Sequence, residues 1–324
     1  MKRADLLKGI DRWRFVPAGV ADPAKKRLFV SDNAGGIVAL NPTTGEPVWR
    51  SREAAIPLLG LNGALLAAAS DRVPRLLDAE SGETVDSSLA DPLPIARNLE
   101  WWPVAVWRDG QAVVFAWKSS WAEGVASIDI DGGRVADAAG ATEPGVPPER
   151  AGVTADLQLF RAADGSAEPW RAGDRVAALV IDQSKGKERL RLMTWSVESG
   201  ESLKSVELQP SIPRLGHLEH HRSPDVDFIF LLSSNDTEQD GAPIGTICNW
   251  LVFRVTDGRK VTEFPHPAGL HPPLAVIGNR LLYIEVGGSD SKKEMPLRRL
   301  CAIDTASAQL AWACDIARMP GRMR

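Results

Sequence analysis

Cysteine and tyrosine are scarce in this chain of 324 residues, which contains three cysteines and one tyrosine. Cys248, Cys301 and Cys314 are too few and too scattered for a disulfide framework of the kind that stabilises small secreted domains. Cysteine in an apolar strand acts instead as a small hydrophobic residue. We therefore expect the chain to be located in a reducing cytoplasm.

Excess positive charge and long apolar runs are missing as well. The 38 Lys and Arg residues are outnumbered by 42 Asp and Glu residues, which gives a net charge of −4. Nucleic-acid phosphates require a basic protein surface, so a nucleic-acid partner is not expected. No segment approaches the roughly 18 apolar residues that a membrane-spanning helix needs. The first residues also lack the apolar core of a signal peptide. We therefore predict no membrane insertion.

What the chain does contain is a turn that recurs along it. In its clearest copy, two short apolar runs within residues 28–49 flank the small and polar residues Asn33 to Gly36, and the turn Asn41 to Gly45 follows. Proline suits the early position of such a turn, and glycine suits the left-handed residue that ends it. The segment therefore predicts short antiparallel strands joined by tight turns.

Further copies of this turn extend over nearly the whole chain. The turn glycine, or the alanine that replaces it, stands at Gly9, Gly45, Gly82, Gly133, Gly200, Gly258 and Ala308. Successive positions are 36 to 67 residues apart, which suits blades of four strands with loops of unequal length. Mostly apolar residues stand seven and five positions before the turn, as Val38 and Leu40 do. This spacing places both residues on one face of a strand.

Three copies also contain a tryptophan four residues after the turn position. They are Asp5/Gly9/Trp13, Asn41/Gly45/Trp49 and Asp304/Ala308/Trp312. This pattern resembles the repeat of quinoprotein-like (PQQ-like) β-propellers. The resemblance implies an all-β propeller in which the tryptophan docks against the neighbouring blade. The remaining copies have Asp86, Asp137, Lys204 and Thr262 at the tryptophan position. A β-sandwich of ordinary hairpins is the alternative fold.

We predict that residues 1–324 form a single propeller domain with six blades of about four antiparallel strands. In this arrangement residues 16–312 form six repeats, residues 1–15 form a closure strand or arm, and residues 313–324 form a tail. Seven blades are the alternative, because the copy at Gly9 supplies a seventh turn. The tail is too short to supply the missing strands, so we expect the first copy to join the first and last blades.

The histidines provide a weak candidate for a metal site. His217, His220 and His221 lie in one short segment, and His217 and His221 have the i, i+4 spacing typical of a helical zinc pair. The segment has no helical pattern and lacks the HExxH order. The preferred interpretation is therefore that these are loop histidines and that no metal is bound.

Two further features bear on binding. Five tryptophans crowd residues 101–121, and they are either packed strand residues, which the apolar alternation favours, or an aromatic surface for a ligand. Three polar insertions, at residues 182–188, 233–241 and 287–294, occupy corresponding places just before the repeat strand. Hairpin tips gathered on one side of a propeller are where a partner is expected to bind.

The enzymes of the PQQ-like family are longer, and they often contain a vicinal cysteine pair that this chain lacks. No residue here can be assigned as a ligand of PQQ, so we predict no cofactor and no catalytic residue. The leading interpretation is a non-catalytic scaffold or subunit whose partner is another protein. The alternative is a propeller that binds or hydrolyses a small molecule or carbohydrate at its channel face, so enzymatic activity stays open.

Overall fold

The computed structural model of the protein describes most of the chain. The described residues are 3–10, 14–16, 18–32, 34–86, 91–95, 101–109, 112–119, 122–130, 134–138, 157–159, 169–172, 174–182, 189–208, 218–222, 228–239, 242–265, 271–286 and 298–316. Within them the backbone forms one short helix, α1 (Arg3–Leu6), and strands that are arranged in six antiparallel sheets.

The chain divides into two compact units. The first unit comprises Met1–Glu143, Ala268–Asp304 and Gln309–Arg324, and the second comprises Pro144–Pro267 and Thr305–Ala308. The single-domain organisation that the sequence favours stays a prediction.

Four sheets belong mainly to the first unit, and in each of them the strands follow one another in chain order. Sheet 1 contains β1 (Arg14–Val16), β2 (Gly19–Ala21), β3 (Leu28–Ser31), β4 (Ile37–Leu40) and β5 (Pro47–Ser51). Sheet 2 contains β6 (Ile56–Leu61), β7 (Ala64–Ala68), β8 (Pro74–Asp78) and β9 (Thr84–Asp86). Sheet 3 contains β10 (Trp101–Asp109), β11 (Ala112–Ser119), β12 (Glu123–Asp129) and β13 (Arg134–Asp137). Sheet 6 contains β23 (His271–Ile277), β24 (Arg280–Val286), β25 (Arg298–Asp304) and β26 (Leu310–Ile316).

The second unit contains the other two sheets. Sheet 4 consists of β14 (Leu157–Leu159), β15 (Trp170–Ala172), β16 (Arg175–Asp182), β17 (Arg189–Ser196) and β18 (Ser202–Glu207), with both β14 and β15 paired to β16. Sheet 5 consists of β19 (Leu218–Arg222), β20 (Phe228–Gln239), β21 (Ala242–Arg254) and β22 (Lys260–Pro265). The prediction of an all-β chain built from six small antiparallel sheets is therefore confirmed.

Strands β3 and β4 of sheet 1 are buried on both faces. Leu28, Val38 and Leu40 belong to a cluster with side chains of sheet 6, whereas Phe29 and Ala39 belong to a cluster with side chains of sheet 2. Alternate residues of a strand point to opposite faces, so each strand contributes to two interfaces at once. Such strands are apolar throughout, which explains why they show runs rather than polar alternation.

The repeat turn has the same hydrogen bonds in several sheets. The N–H of the turn glycine donates to the carbonyl oxygen four residues earlier, with N···O distances from 2.8 to 3.0 Å, at Gly45, Gly82, Gly200 and Gly258. All four glycines have φ between +67° and +75°, a conformation that glycine adopts without a steric penalty. Ala308 has φ +57° at the same place in sheet 6. Gly133 lies outside the described residues.

The residue that begins the turn often supplies a side-chain acceptor. Asn41 Oδ1 accepts the amide N–H of Thr43 at 2.8 Å, and Asp78 Oδ1 accepts that of Ser81 at 2.8 Å. Ser196 Oγ plays the same role with weaker bonds of 3.2 Å. The polar residues at this position therefore stabilise the turn through its backbone.

The two described tryptophans of the repeat each join one sheet to the next. In β5, Trp49 is half-buried and its indole N–H donates to the carbonyl oxygen of Ala79 in sheet 2 at 3.0 Å. In β26, Trp312 is buried and its indole N–H donates to the carbonyl oxygen of Pro42 in sheet 1 at 3.0 Å. Both acceptors stand three residues before the turn glycine. Sheet 6 is thus joined to sheet 1, and sheet 1 to sheet 2, by one repeated contact.

A different residue takes this place in the second unit. A Cβ added at Gly258 of sheet 5 would lie 2.7 Å from Cβ of Val206, which belongs to β18 of sheet 4. The repeat alignment instead places Lys204 at the tryptophan position. The contact is kept because Val206 lies two residues further along the same strand, where its side chain returns to the same face.

The first residues of the chain pack on sheet 2. Leu6, Leu7 and Ile10 are buried in the cluster that contains the side chains of β6 and β7. Asn62, in the β6–β7 turn, donates from its side chain to the carbonyl oxygens of Asp5 at 3.3 Å and Lys8 at 2.7 Å. We call residues 3–10 the N-terminal arm. Gly9, near the end of the arm, has φ +69°, and Trp13 lies outside the described residues.

From the arm the chain passes into sheet 1. Strand β1 pairs with β2, with Val16 opposite Gly19, and it lies beside β23 of sheet 6. Val16 is buried in the cluster shared by these two sheets. Residues 3–10 and 14–16 together therefore contact sheets 1, 2 and 6.

Replacing Gly82 by alanine should destabilise the protein more than replacing Gly9. Both residues have positive φ, which costs a non-glycine residue about 1–2 kcal/mol. At Gly82 the added Cβ would also lie 2.6 Å from the ring of Trp49, whereas nothing lies within 4 Å at Gly9. Overpacking typically adds about 1–3 kcal/mol. Urea unfolding of the two variants tests this difference, and equal losses would show that Trp49 does not constrain the turn.

Candidate functional site

The hairpin of β20 and β21 is the longest in the described part of the chain. The two strands have 12 and 13 residues and pair from Phe228 opposite Arg254 to Gln239 opposite Ala242. Their neighbours in sheet 5 are much shorter, with five residues in β19 and six in β22.

This difference in length leaves the end of the hairpin without flanking strands. The pairing of β19 with β20 ends at Ser233, and the pairing of β22 with β21 ends at Asn249. Among the described residues, those at 234–239 and 242–248 pair only with each other. At about 3.3 Å per residue, this projecting hairpin is roughly 20 Å long. Its two outer edges carry backbone N–H and C=O groups that an additional strand can pair with.

The sequence predicts a hairpin tip at residues 233–241, and the structure places a hairpin there whose strands reach further than expected. Ser, Asn and Asp favour turns, and the acids with a following glycine resemble half of a calcium loop. In the structure β20 is extended as far as Gln239, and β21 begins at Ala242. Pairing with the apolar and β-branched residues of β21 outweighs the local turn preference. The other two insertions lie outside the described residues, apart from Asp182.

The surrounding sequence is strongly acidic. Residues 223–253 contain five acidic residues and neither lysine nor arginine. The acids are Asp225, Asp227, Asp236, Glu238 and Asp240. The projecting hairpin therefore belongs to a segment of uniform negative charge, which attracts positively charged partners and slows association with negative ones.

The candidate metal ligands are not brought together as a helical pair. His220 and His221 lie in β19, opposite Leu231 and Phe230 of β20, so the prediction of a loop is wrong for them. An i, i+4 pair requires a helix, and residues 218–222 are extended. His217 lies outside the described residues. Within the described residues, no group of three or more His, Cys, Asp or Glu side chains is placed to hold a metal ion.

The tryptophan-rich sheet 3 shows packing where its side chains are described. Trp117 is buried, and a Cβ added at Gly124, directly opposite in β12, would lie 2.7 Å from its ring. The indole therefore covers the backbone of the neighbouring strand. Trp107 is half-buried. Trp101 and Trp102 lie in β10, and Trp121 lies outside the described residues. The packing prediction is confirmed for Trp117.

Sheet 6 contains two of the three cysteines, Cys301 and Cys314, and the single tyrosine, Tyr283. Burial, followed by the charge of Glu285, raises the pKa of the Cys301 thiol to about 11. Burial, followed by the charge of Asp315, raises the pKa of Cys314 to about 11. Burial also raises the pKa of Tyr283, which lies opposite Cys301. These groups are protonated at neutral pH, and a thiol in that form is a poor nucleophile.

The two thiols are also badly placed for a disulfide. In the pairing of β25 with β26, Cys301 lies opposite Ala313 and Cys314 lies opposite Leu300. The side chains of Cys301 and Cys314 therefore lie on opposite faces of the sheet.

None of the described helices is long and apolar enough to cross a membrane.

Comparisons with known proteins identify the repeat. The family described as outer membrane protein assembly factor BamB, a PQQ-like repeat family, matches residues 2–236. A search of curated proteins gave no match. The resemblance to PQQ-like β-propellers is thus confirmed by a family match over most of the chain.

Solved structures with some similarity include three propellers. BamB from Moraxella catarrhalis is 15% identical over 93% of this chain and 76% of its own, with a TM-score of 0.26. A europium-containing methanol dehydrogenase is 12% identical over 97% of this chain and 82% of its own, with a TM-score of 0.35. TolB from Acinetobacter baumannii is 14% identical over 91% of this chain and 65% of its own, with a TM-score of 0.36. Similarities of this size carry no conclusion about function.

Proposed function

Because the chain belongs to the PQQ-like family of outer membrane protein assembly factor BamB, we propose that it is a non-catalytic scaffold or subunit that binds another protein. The family description names an assembly factor, which supports a protein partner rather than a small substrate. A cytoplasmic location is part of the same proposal, and its support is the scarcity and scatter of the cysteines.

The observation that carries the proposal is the projecting hairpin. It extends about 20 Å past the strands beside it, and its two backbone edges pair with no other described strand, within a segment of one charge. Natural proteins usually shorten or cover such edges, because exposed edges associate with other chains. A long edge that no described strand covers therefore supports a role in binding.

The alternative of a small-molecule or carbohydrate site has less support. It depends on exposed aromatic side chains around the channel face. Trp117, the best-described member of the tryptophan-rich segment, is 7% exposed and covers Gly124 instead. It is therefore not available to stack on a sugar ring.

The proposal predicts that shortening the hairpin abolishes partner binding without unfolding the protein. Ser233 and Asn249 lie opposite each other, so residues 234–248 can be replaced by Asn-Gly, the pair preferred in two-residue hairpin turns. The buried Leu231 and Trp250 remain in place. We expect the melting temperature to stay within a few degrees and recovery of the partner from native extract to fall at least tenfold.

The matched control changes exposed residues elsewhere. Val48 and Val85 are 43% and 49% exposed on the outer strands of sheets 1 and 2, and their double replacement by alanine should leave binding intact. The captured protein is then purified and its stoichiometry with each variant is measured by calorimetry. A shortened variant that binds the same partner with unchanged affinity would contradict the proposal.

A further inference from the structure

We propose that the partner binds by adding a strand along the β20 edge of the projecting hairpin, at Ser234–Gln239, and that this strand is rich in basic residues. The inference rests on the proposed function, since it specifies how and by what chemistry the partner is held. Addition of a strand to an exposed edge provides affinity through backbone hydrogen bonds and selectivity through alternate side chains.

The two edges of the hairpin are not equivalent in composition. From Phe228 to Gln239, β20 contains neither proline nor glycine, so every residue has an N–H and an ordinary strand preference. The projecting part of β21 contains Pro243 and Gly245. Proline has no N–H to donate, and its presence on a strand edge discourages pairing. The β20 edge is therefore the one that can accept a regular strand.

The pairing register points to the same edge. Thr237 lies opposite Gly245, whereas the next residue, Glu238, lies opposite Pro243. Ile244 is consequently the extra residue of a bulge, and the bulge belongs to β21. A bulged strand bends and loses regular spacing of its backbone groups. Strand β20 keeps its spacing over the six residues beyond the end of β19.

Charge selects the occupant of this edge. Asp236 and Glu238 lie in the projecting part of β20, within a segment that contains no basic residue from 223 to 253. If a second copy of the chain paired along the same edge, carboxylates would be brought close to carboxylates, and like charges directly opposite each other destabilise a strand pair. A partner strand with lysine or arginine at alternate positions would instead place positive charges next to Asp236 and Glu238. A basic partner segment therefore fits, and self-association does not.

The test uses three labelled nine-residue peptides with the full chain. One peptide alternates lysine with valine or threonine, the second has glutamate in place of lysine, and the third is the basic peptide with every second amide N-methylated. In fluorescence anisotropy at low salt we expect the basic peptide to bind at least tenfold more tightly than either of the others. N-methylation keeps the charge but removes the N–H donors along one edge, so it separates strand addition from simple attraction to an acidic protein.

Hydrogen exchange identifies the edge. With the basic peptide bound, amides at 234–239 should gain protection and those at 242–248 should not. The double variant D236K/E238K should weaken binding of the basic peptide at least tenfold. The control E46K/E83K makes the same change of charge at exposed turn residues of sheets 1 and 2 and should leave binding within twofold.

The outcomes separate the two proposals. Equal affinity for the basic and N-methylated peptides, protection confined to 242–248, or hairpin-dependent dimers of the chain would each overturn strand addition by a basic segment. If the shortened hairpin also loses the native partner in those cases, the scaffold proposal stands and only the binding mode is wrong. If the shortened hairpin keeps the native partner, the scaffold site itself is wrong. Competition between the basic peptide and the native partner supports both proposals.

Discussion

Replacing Trp312 by alanine is expected to lower the free energy of unfolding by about 3–5 kcal/mol, the usual range for truncation of a buried tryptophan. The side chain is 8% exposed, and it belongs to the cluster that joins sheet 6 to sheet 1. Its indole N–H donates to the carbonyl oxygen of Pro42, which would lose this partner in the variant. Equilibrium unfolding in urea measures the loss.

The same strand offers a control for Trp312. Leu310 is 56% exposed two residues earlier in β26, so its replacement by alanine should change stability by no more than about 0.5 kcal/mol. A double-mutant cycle with Gly45→Ala tests the contact itself, because a Cβ at Gly45 would lie 2.6 Å from the Trp312 ring. The two losses should not be additive. Additive losses would indicate that the ring does not pack on the turn.

Removal of residues 1–10 should lower the melting temperature by several degrees or more. Leu6, Leu7 and Ile10 of the arm are buried. Full burial of such a side chain contributes about 1.5–3 kcal/mol to the free energy of unfolding. For chains of 150–250 residues a loss of about 1 kcal/mol corresponds to roughly 2–4 °C. Asn62 would also lose both carbonyl acceptors. Differential scanning calorimetry measures the shift.

Two single substitutions test whether the buried side chains of the arm account for the loss of stability. Leu6→Ala should reproduce a large part of the loss, because it leaves a cavity beside sheet 2. Lys8→Ala changes an exposed side chain of the same arm and should be nearly neutral. An unchanged melting curve after removal of the arm would mean that its contacts with sheet 2 contribute nothing to the stability of the first unit.

The repeat could be predicted from sequence because its determinants are local. The turn at Asn41 to Gly45 depends on a side-chain acceptor and a left-handed glycine that lie within five residues of each other. The docking of Trp312 follows from the family resemblance, and the structure places the indole over a turn of the neighbouring sheet. Both features depend on residues within one copy of the repeat, so the other copies could be recognised from the same residue pattern.

The features that sequence did not predict depend on neighbours in space. Nothing in the arm indicates that Asn62, more than fifty residues later, would bind its carbonyl groups. In sheet 4, Val206 occupies the place next to Gly258 that a tryptophan occupies in other repeats. The sequence did not predict this, because the residue that reaches Gly258 depends on how the two sheets pack. The hairpin tip at residues 233–241 was predicted, but the extension of its strands through polar residues was not, because pairing between strands can override residues that favour turns. The place of this hairpin tip and its acidic character could thus be predicted from the sequence, whereas the length of the projecting strands depended on strand pairing.

The burial of β3 and β4 on both faces has a consequence for how their register is held. A strand with one polar face cannot slip by one residue, because the slip would bury polar side chains. Val38, Ala39 and Leu40 are all apolar, so hydrophobicity penalises such a slip only weakly. The constraint must come from the adjoining turn and from the register shift between Ala39 and Leu40, which recurs at the corresponding place in sheets 2, 4, 5 and 6. Damage to a turn should therefore produce misaligned but compact strands.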